Sequence, residues 1–108
     1  MKERLLKVIR DYTKNGEYKK NTIVNLSKIL KISKVTILES IKILLDDGAI
    51  LKVAENPVFF IDRFVFENMY KVKIQENYIN DLEAYIAGIC SDPKDFKKLI
   101  GWNRSLSQ

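Results

Sequence analysis

Apolar residues recur at helical spacing in three successive stretches of the first half of the chain, and a break in the pattern separates each from the next. Over residues 2–14, Leu5, Leu6, Val8, Ile9 and Tyr12 fall on one side, with lysines, arginines and acids on the other, which predicts an amphipathic helix. Asn15-Gly16 is a breaker pair, and Gly16 suits a left-handed cap. A second helix is predicted over "TIVNLSKIL", capped by Asn21 or Thr22, with Ile23, Leu26 and Leu30 in one stripe. Ser27 lies where a second helix approaching closely requires a small residue. Only "KIS" separates this helix from the next, so the third must turn sharply against the second. Ser33 caps it, and Ile37, Ile41 and Leu44 at i, i+4 and i+7 form its core face. Burying each of those three contributes roughly 1.5–3 kcal/mol. Asp46 and Asp47 oppose the helix dipole at its C-terminal end, a small and screened penalty, and Gly48 stops the helix.

The pattern then changes. "AILKVA" and "VFFIDRF", rich in β-branched and aromatic residues, flank the turn residues Asn56 and Pro57 and predict a short β-hairpin. Residues 62–80 carry apolar positions without a single period. "NDLEAYIAGI" returns to helical spacing through Leu82, Tyr85, Ile86 and Ile89, Asp92-Pro93 marks a loop, and "PKDFKKLI" adds a turn or two of helix. Three helices with a tight second-to-third turn, followed by a hairpin, predict a mainly α protein. Its expected architecture is a winged helix-turn-helix over residues 1–66, comprising three helices plus a short β-hairpin wing. A C-terminal helical extension over residues 67–108 acts as a linker and helical segment.

Charge sharpens this picture. The 108 residues carry a net charge of +5, and the excess is confined to one half. Through Ala54 there are 12 Lys/Arg and 6 Asp/Glu, a balance of +6, whereas the remainder is −1. A basic half joined to a near-neutral half points to a polyanionic partner for the first half, or to a lysine-rich solvated surface. The chemistry of enzymes is absent. There is no histidine, so histidine catalysis and Cys/His zinc sites are excluded, and four scattered glycines make no phosphate loop. The lone cysteine, Cys90, follows an apolar stripe and reads as a small buried hydrophobe; with no disulfide to form, it fits a reducing, cytoplasmic setting. The opening "MKERLLKVIRDYTK" has no continuous apolar segment of the kind a secretory leader needs, and no run approaches the roughly 18 apolar residues that cross a bilayer. No cofactor, metal or membrane partner is expected.

The residues expected to meet nucleic acid follow from the helix-turn-helix geometry, in which the N-terminal part of the second helix of the pair reaches base edges. These are Lys34, Val35, Thr36, Leu38, Glu39 and Lys42. Lys34 suits guanine O6/N7 or a phosphate, Thr36 a phosphate or a thymine methyl, and Glu39 the cytosine N4 amine, although it repels phosphate. Lys19, Lys20, Thr22, Lys28 and Lys31 are placed to approach phosphates, and Lys52 and Asn56 on the hairpin to touch backbone or minor groove. Ser40 lies too near the core face to read bases.

Two segments also carry a family resemblance. "ILKVAENPVFFI" resembles the wing of sigma-54-dependent transcriptional activators of the levanase-operon-regulator type, and "DPKDFKKLIGWNRSLSQ" is similar to the stretch just before their ATPase module. "SKVTILESIKILLDDGAI" looks like their recognition helix, although Leu38 and Glu39 depart from the polar surface expected there. The resemblance implies that the chain is the N-terminal, DNA-binding part of a longer regulator. That regulator would carry an ATPase that remodels the RNA polymerase sigma-54 holoenzyme and phosphotransferase-system regulation domains. It implies double-stranded DNA as the partner and no enzyme activity in these residues; a homodimer is a further expectation, because symmetric dimers are the usual way for small modules to gain affinity. Two other readings stand beside it: a winged helix that docks a protein through Val35 and Leu38, and an RNA-binding antiterminator that stacks bases on Tyr18, Phe59 and Phe60.

Overall fold

The computed structural model describes residues 1–75 and 79–80. Helices α1 (Lys2–Lys14), α2 (Ile23–Leu30) and α3 (Lys34–Asp46) come first, with a short 3-10 turn over Tyr18–Lys20 between α1 and α2. Strands β1 (Ile50–Val53) and β2 (Phe59–Asp62) pair antiparallel, with Ile50 opposite Asp62 and Val53 opposite Phe59, and α4 (Arg63–Tyr70) follows without a loop. The described residues are therefore mainly helical with one two-stranded antiparallel sheet.

Local chemistry accounts for most boundaries. Thr22 Oγ1 accepts the Asn25 N–H and Ser33 Oγ accepts the Thr36 N–H, each satisfying an orphan donor in the first turn of its helix. Gly48, at φ 71°, ends the α3 region in the left-handed conformation; a Cβ there would meet the Arg63 guanidinium at 2.9 Å. Asp47 pairs with Lys2 at 3.1 Å, which offsets its unfavourable position at the C-terminus of α3.

Each face of the hairpin has its own core. Ile50 and Phe60 pack with Leu5, Ile9, Leu26, Leu30, Ile37, Ile41 and Leu44 from α1, α2 and α3. Leu51, Val53, Phe59 and Ile61 on the opposite face pack with Phe66 of α4 and with Ile74 and Ile79 beyond it, so the packed core runs on past residue 66. The predicted stripe of Ile37, Ile41 and Leu44 is buried, and Ser40 is buried beside it.

Two expectations are corrected. The second hairpin flank, expected from Val58 to Phe64, ends at Asp62, and residues 63–70, which show no clear period, form α4. The switch occurs at Asp62, which is fully buried. Its Oδ1 accepts the Val65 N–H at 2.9 Å and caps α4, while its Oδ2 accepts from Arg10 Nε at 2.9 Å. The second correction concerns Asn21, an alternative cap for α2. Thr22 takes that role, and Asn21 is buried against the outer edge of β2. The Asn21 amide donates to Phe60 O at 2.9 Å and Ile9 O at 3.2 Å, and Asn21 O accepts the Phe60 N–H at 3.1 Å. The expected helix over "NDLEAYIAGI", Cys90 and the segment from Asp92 onward lie outside the described residues.

Replacing Ile41 by Ala is expected to lower unfolding free energy by about 2–5 kcal/mol through the cavity it leaves, measured by urea denaturation; an unchanged midpoint would contradict the facing of α3. Asn21→Asp, nearly the same shape, removes both amide donors and sets carboxyl oxygens against two buried carbonyls, for a loss of about 3 kcal/mol at neutral pH. Burial raises that carboxyl above its unfolded value, so the variant is least impaired below about pH 4 and loses stability as pH rises.

Candidate nucleic-acid interface

The sharp passage from α2 to α3 determines what α3 presents. Lys31 ends α2 in the left-handed conformation, φ 56°. Ser27 then holds Ile32 twice: its carbonyl accepts the Ile32 N–H at 3.2 Å, and its hydroxyl donates to Ile32 O. The small size predicted for position 27 is thus accompanied by a hydrogen-bonding role that helical spacing does not reveal. With the turn closed this way, Ser33 starts α3 at once.

The buried stripe of α3 leaves the opposite face uncovered by the described residues. Lys34, Val35, Leu38, Glu39 and Lys42 are exposed there, Val35 at 65% and Leu38 at 51%. Thr36, grouped with them from sequence, is half-buried, and its hydroxyl accepts from Ser33 Oγ at 2.9 Å. Asp46 is exposed at the far end of the helix. The N-terminal half of α3 is therefore the half that tolerates a polyanion: it carries Lys34 and the positive end of the helix dipole, whereas acids occupy the C-terminal end.

The expected phosphate-contacting lysines are not equivalent. Lys19, Lys28 and Lys31 are exposed. Lys20 is exposed too, but its ammonium donates to Glu17 Oε2 at 2.7 Å and lies 5.6 Å from the Tyr12 ring centre. The Glu17 hydrogen bond, and then its charge, raise the Lys20 pKa above its ordinary value, so this lysine stays charged but is already engaged. Thr22 is half-buried and holds the α2 cap. Asn56 stands exposed in the hairpin loop, whereas Lys52, half-buried on β1, turns toward α3.

Lys52 lines a groove of about 510 Å³ between α3 and the hairpin. Buried Ile41 and Phe60 form its interior, and Leu38, Leu45, Val58 and Ile23 extend the apolar lining, with Val35, Glu39 and Lys42 also at its border. Periodicity marks Val35 and Leu38 as exposed but cannot show that they continue into this groove, because Val58 and Phe60 arrive from the hairpin. A second open groove, about 560 Å³, lies between α1 and α4 and is lined by Arg10, Lys14, Phe64, Val65 and Met69 among others.

Among the described residues, no group of acidic and cysteine side chains converges on a point that could hold a metal ion, and no helix is long and apolar enough to cross a membrane. No family model, curated protein or solved structure matches the chain.

Ser27→Ala removes the hydroxyl that closes the α2–α3 turn. A loss of about 0.5–1.5 kcal/mol in unfolding free energy is expected by urea denaturation. A variant as stable as the parent would show that the Ile32 carbonyl has an equivalent partner in solvent.

Proposed function

We propose that this chain is a winged helix-turn-helix domain that binds double-stranded DNA sequence-specifically, with α3 as the recognition helix and the β1–β2 hairpin as the wing. The observation that carries this reading is the division of α3 into two faces. Ile37, Ile41 and Leu44 are buried, while Lys34, Val35, Leu38, Glu39 and Lys42 face outward just after a three-residue turn. Residues at the start of such a helix are the ones a major groove receives. Lys28 and Lys31 at the end of α2 stand exposed near that start and suit the flanking phosphates, which position a protein without reading sequence. The resemblance noted in "ILKVAENPVFFI" supports the wider proposal of a bacterial sigma-54-dependent regulator. In such a protein this domain would tether the activator at an upstream site as a dimer, and contact with the polymerase holoenzyme would be made by a module outside these residues.

The docking of a protein partner is the second reading, and one observation favours it: exposed Val35 and Leu38 run into the apolar groove beside the hairpin. Burial weighs against the RNA reading. Phe59 and Phe60 are 2% and 3% exposed, and half-buried Tyr18 stacks on Phe59 with ring centres 5.8 Å apart. Those rings already serve the core and are not open platforms for bases.

Electrostatics separates the first two readings. If Lys28, Lys31, Lys34 and Lys42 each neutralise a phosphate, log K for a duplex should fall against log salt with a slope of about −3 to −4. Lys34→Ala should flatten that slope by about 0.9 and leave the melting temperature unchanged. Fluorescence anisotropy of a labelled duplex over a salt series measures both. A salt-independent signal would favour the protein-docking reading, and single-stranded RNA that out-competes the duplex would favour the RNA one.

A further inference from the structure

Resting on the DNA-binding reading above, we infer that Val35 and Leu38 read thymine methyl groups, so that the preferred duplex carries two thymines within about two base steps at the position of the first turns of α3. The most exposed side chains at the start of this helix include two aliphatic ones, Val35 at 65% and Leu38 at 51%. Most groups that base edges present in the major groove are donors and acceptors, and the one apolar group that projects from an edge is the C5-methyl of thymine. An aliphatic side chain set against a donor or acceptor strips water from a polar group and returns no hydrogen bond, so it disfavours such a base as well as favouring thymine. Thr36, the other residue suited to a methyl contact, is half-buried, which leaves its two more exposed neighbours in the outward stripe better placed for the task.

Spacing sets how far apart the two methyls lie. Residues three apart on a helix hold their Cβ atoms about 5–6 Å from each other, and bases along a strand rise about 3.4 Å per step. Val35 and Leu38 therefore span between one and two steps. Glu39 sits beside them, exposed and without an ion pair among the described residues. A carboxylate only accepts, and phosphates repel it, so the place that favours it is an exocyclic amine: cytosine N4, or adenine N6 opposite one of the thymines. A mixed surface of two aliphatics and an acid, bordered by Lys34 and Lys42, thus defines a methyl-and-amine code in which the lysines supply most of the affinity.

The test is a set of duplexes that differ only in methyl groups. Sequences are selected from a random duplex pool with the full chain, and the winner is resynthesised with deoxyuridine in place of thymine. Removing one contacted methyl should weaken binding about fourfold, and removing both about fifteenfold. The V35A/L38A double variant, altered only at exposed positions, should bind the thymine and uracil duplexes equally and keep the salt dependence of the parent. Equal affinity of the parent chain for both duplexes, or a selected pool without paired thymines, would overturn the inference and leave DNA binding intact. Failure to bind any duplex even in dilute buffer would overturn both this inference and the reading on which it rests.

Discussion

A two-stranded hairpin is marginal on its own: it has two open edges and two faces, and water competes for all four. In this chain each of the four is occupied, and the rest of the structure is arranged around that requirement. The outer edge of β2 is closed by Asn21, which bonds Phe60 through both its backbone and its amide, and by Thr13, whose hydroxyl accepts the Asp62 N–H at 3.1 Å. The outer edge of β1 is met by Ile79, whose carbonyl accepts the Lys52 N–H at 2.8 Å. Helices α1 to α3 cover one face, and α4 with Ile74 and Ile79 covers the other. Asn21 thus performs the work of a third strand with a single residue, and through its bond to Ile9 O it also joins that edge to α1.

The first three helices were legible because their burial is one-sided, and the starts of α2 and α3 are also marked by the hydroxyl caps Thr22 and Ser33; helical spacing of Ile37, Ile41 and Leu44 needs no knowledge of distant partners. The hairpin was legible from its β-branched and aromatic runs. Helix α4 was not, because its polarity is inverted. Its two charged residues turn inward: Arg63 Nε donates to Glu67 Oε2 at 3.2 Å, and Arg63 also bonds Gly48 O and Ile74 O. Glu67 in turn accepts the Ile74 N–H at 2.8 Å. Meanwhile Phe64 and Met69 stand exposed. An apolar-in, polar-out template cannot find such a helix, since its buried face is held partly by ions that fasten three segments together.

The candidate site divides in the same way. Exposure of Lys34, Val35, Leu38, Glu39 and Lys42 follows directly from the core stripe on the other side of α3. The engagement of Lys20 by Glu17, the turning of Lys52 toward the groove and the second role of Ser27 do not, because each depends on a partner whose position folding supplies. The acids at the end of α3 add a directional constraint: the dipole and Lys34 favour negative charge near the start of the helix, and Asp46 and Asp47 disfavour it at the finish.

The covered hairpin has one more consequence. A hairpin fastened on both edges and both faces has little freedom left to lose, so its separation from the start of α3 is set by the fold itself. If the proposed duplex binding holds, association would avoid most of the ordering entropy that a floppy arm would have to surrender, and affinity would depend on how well the duplex matches a gap of fixed width.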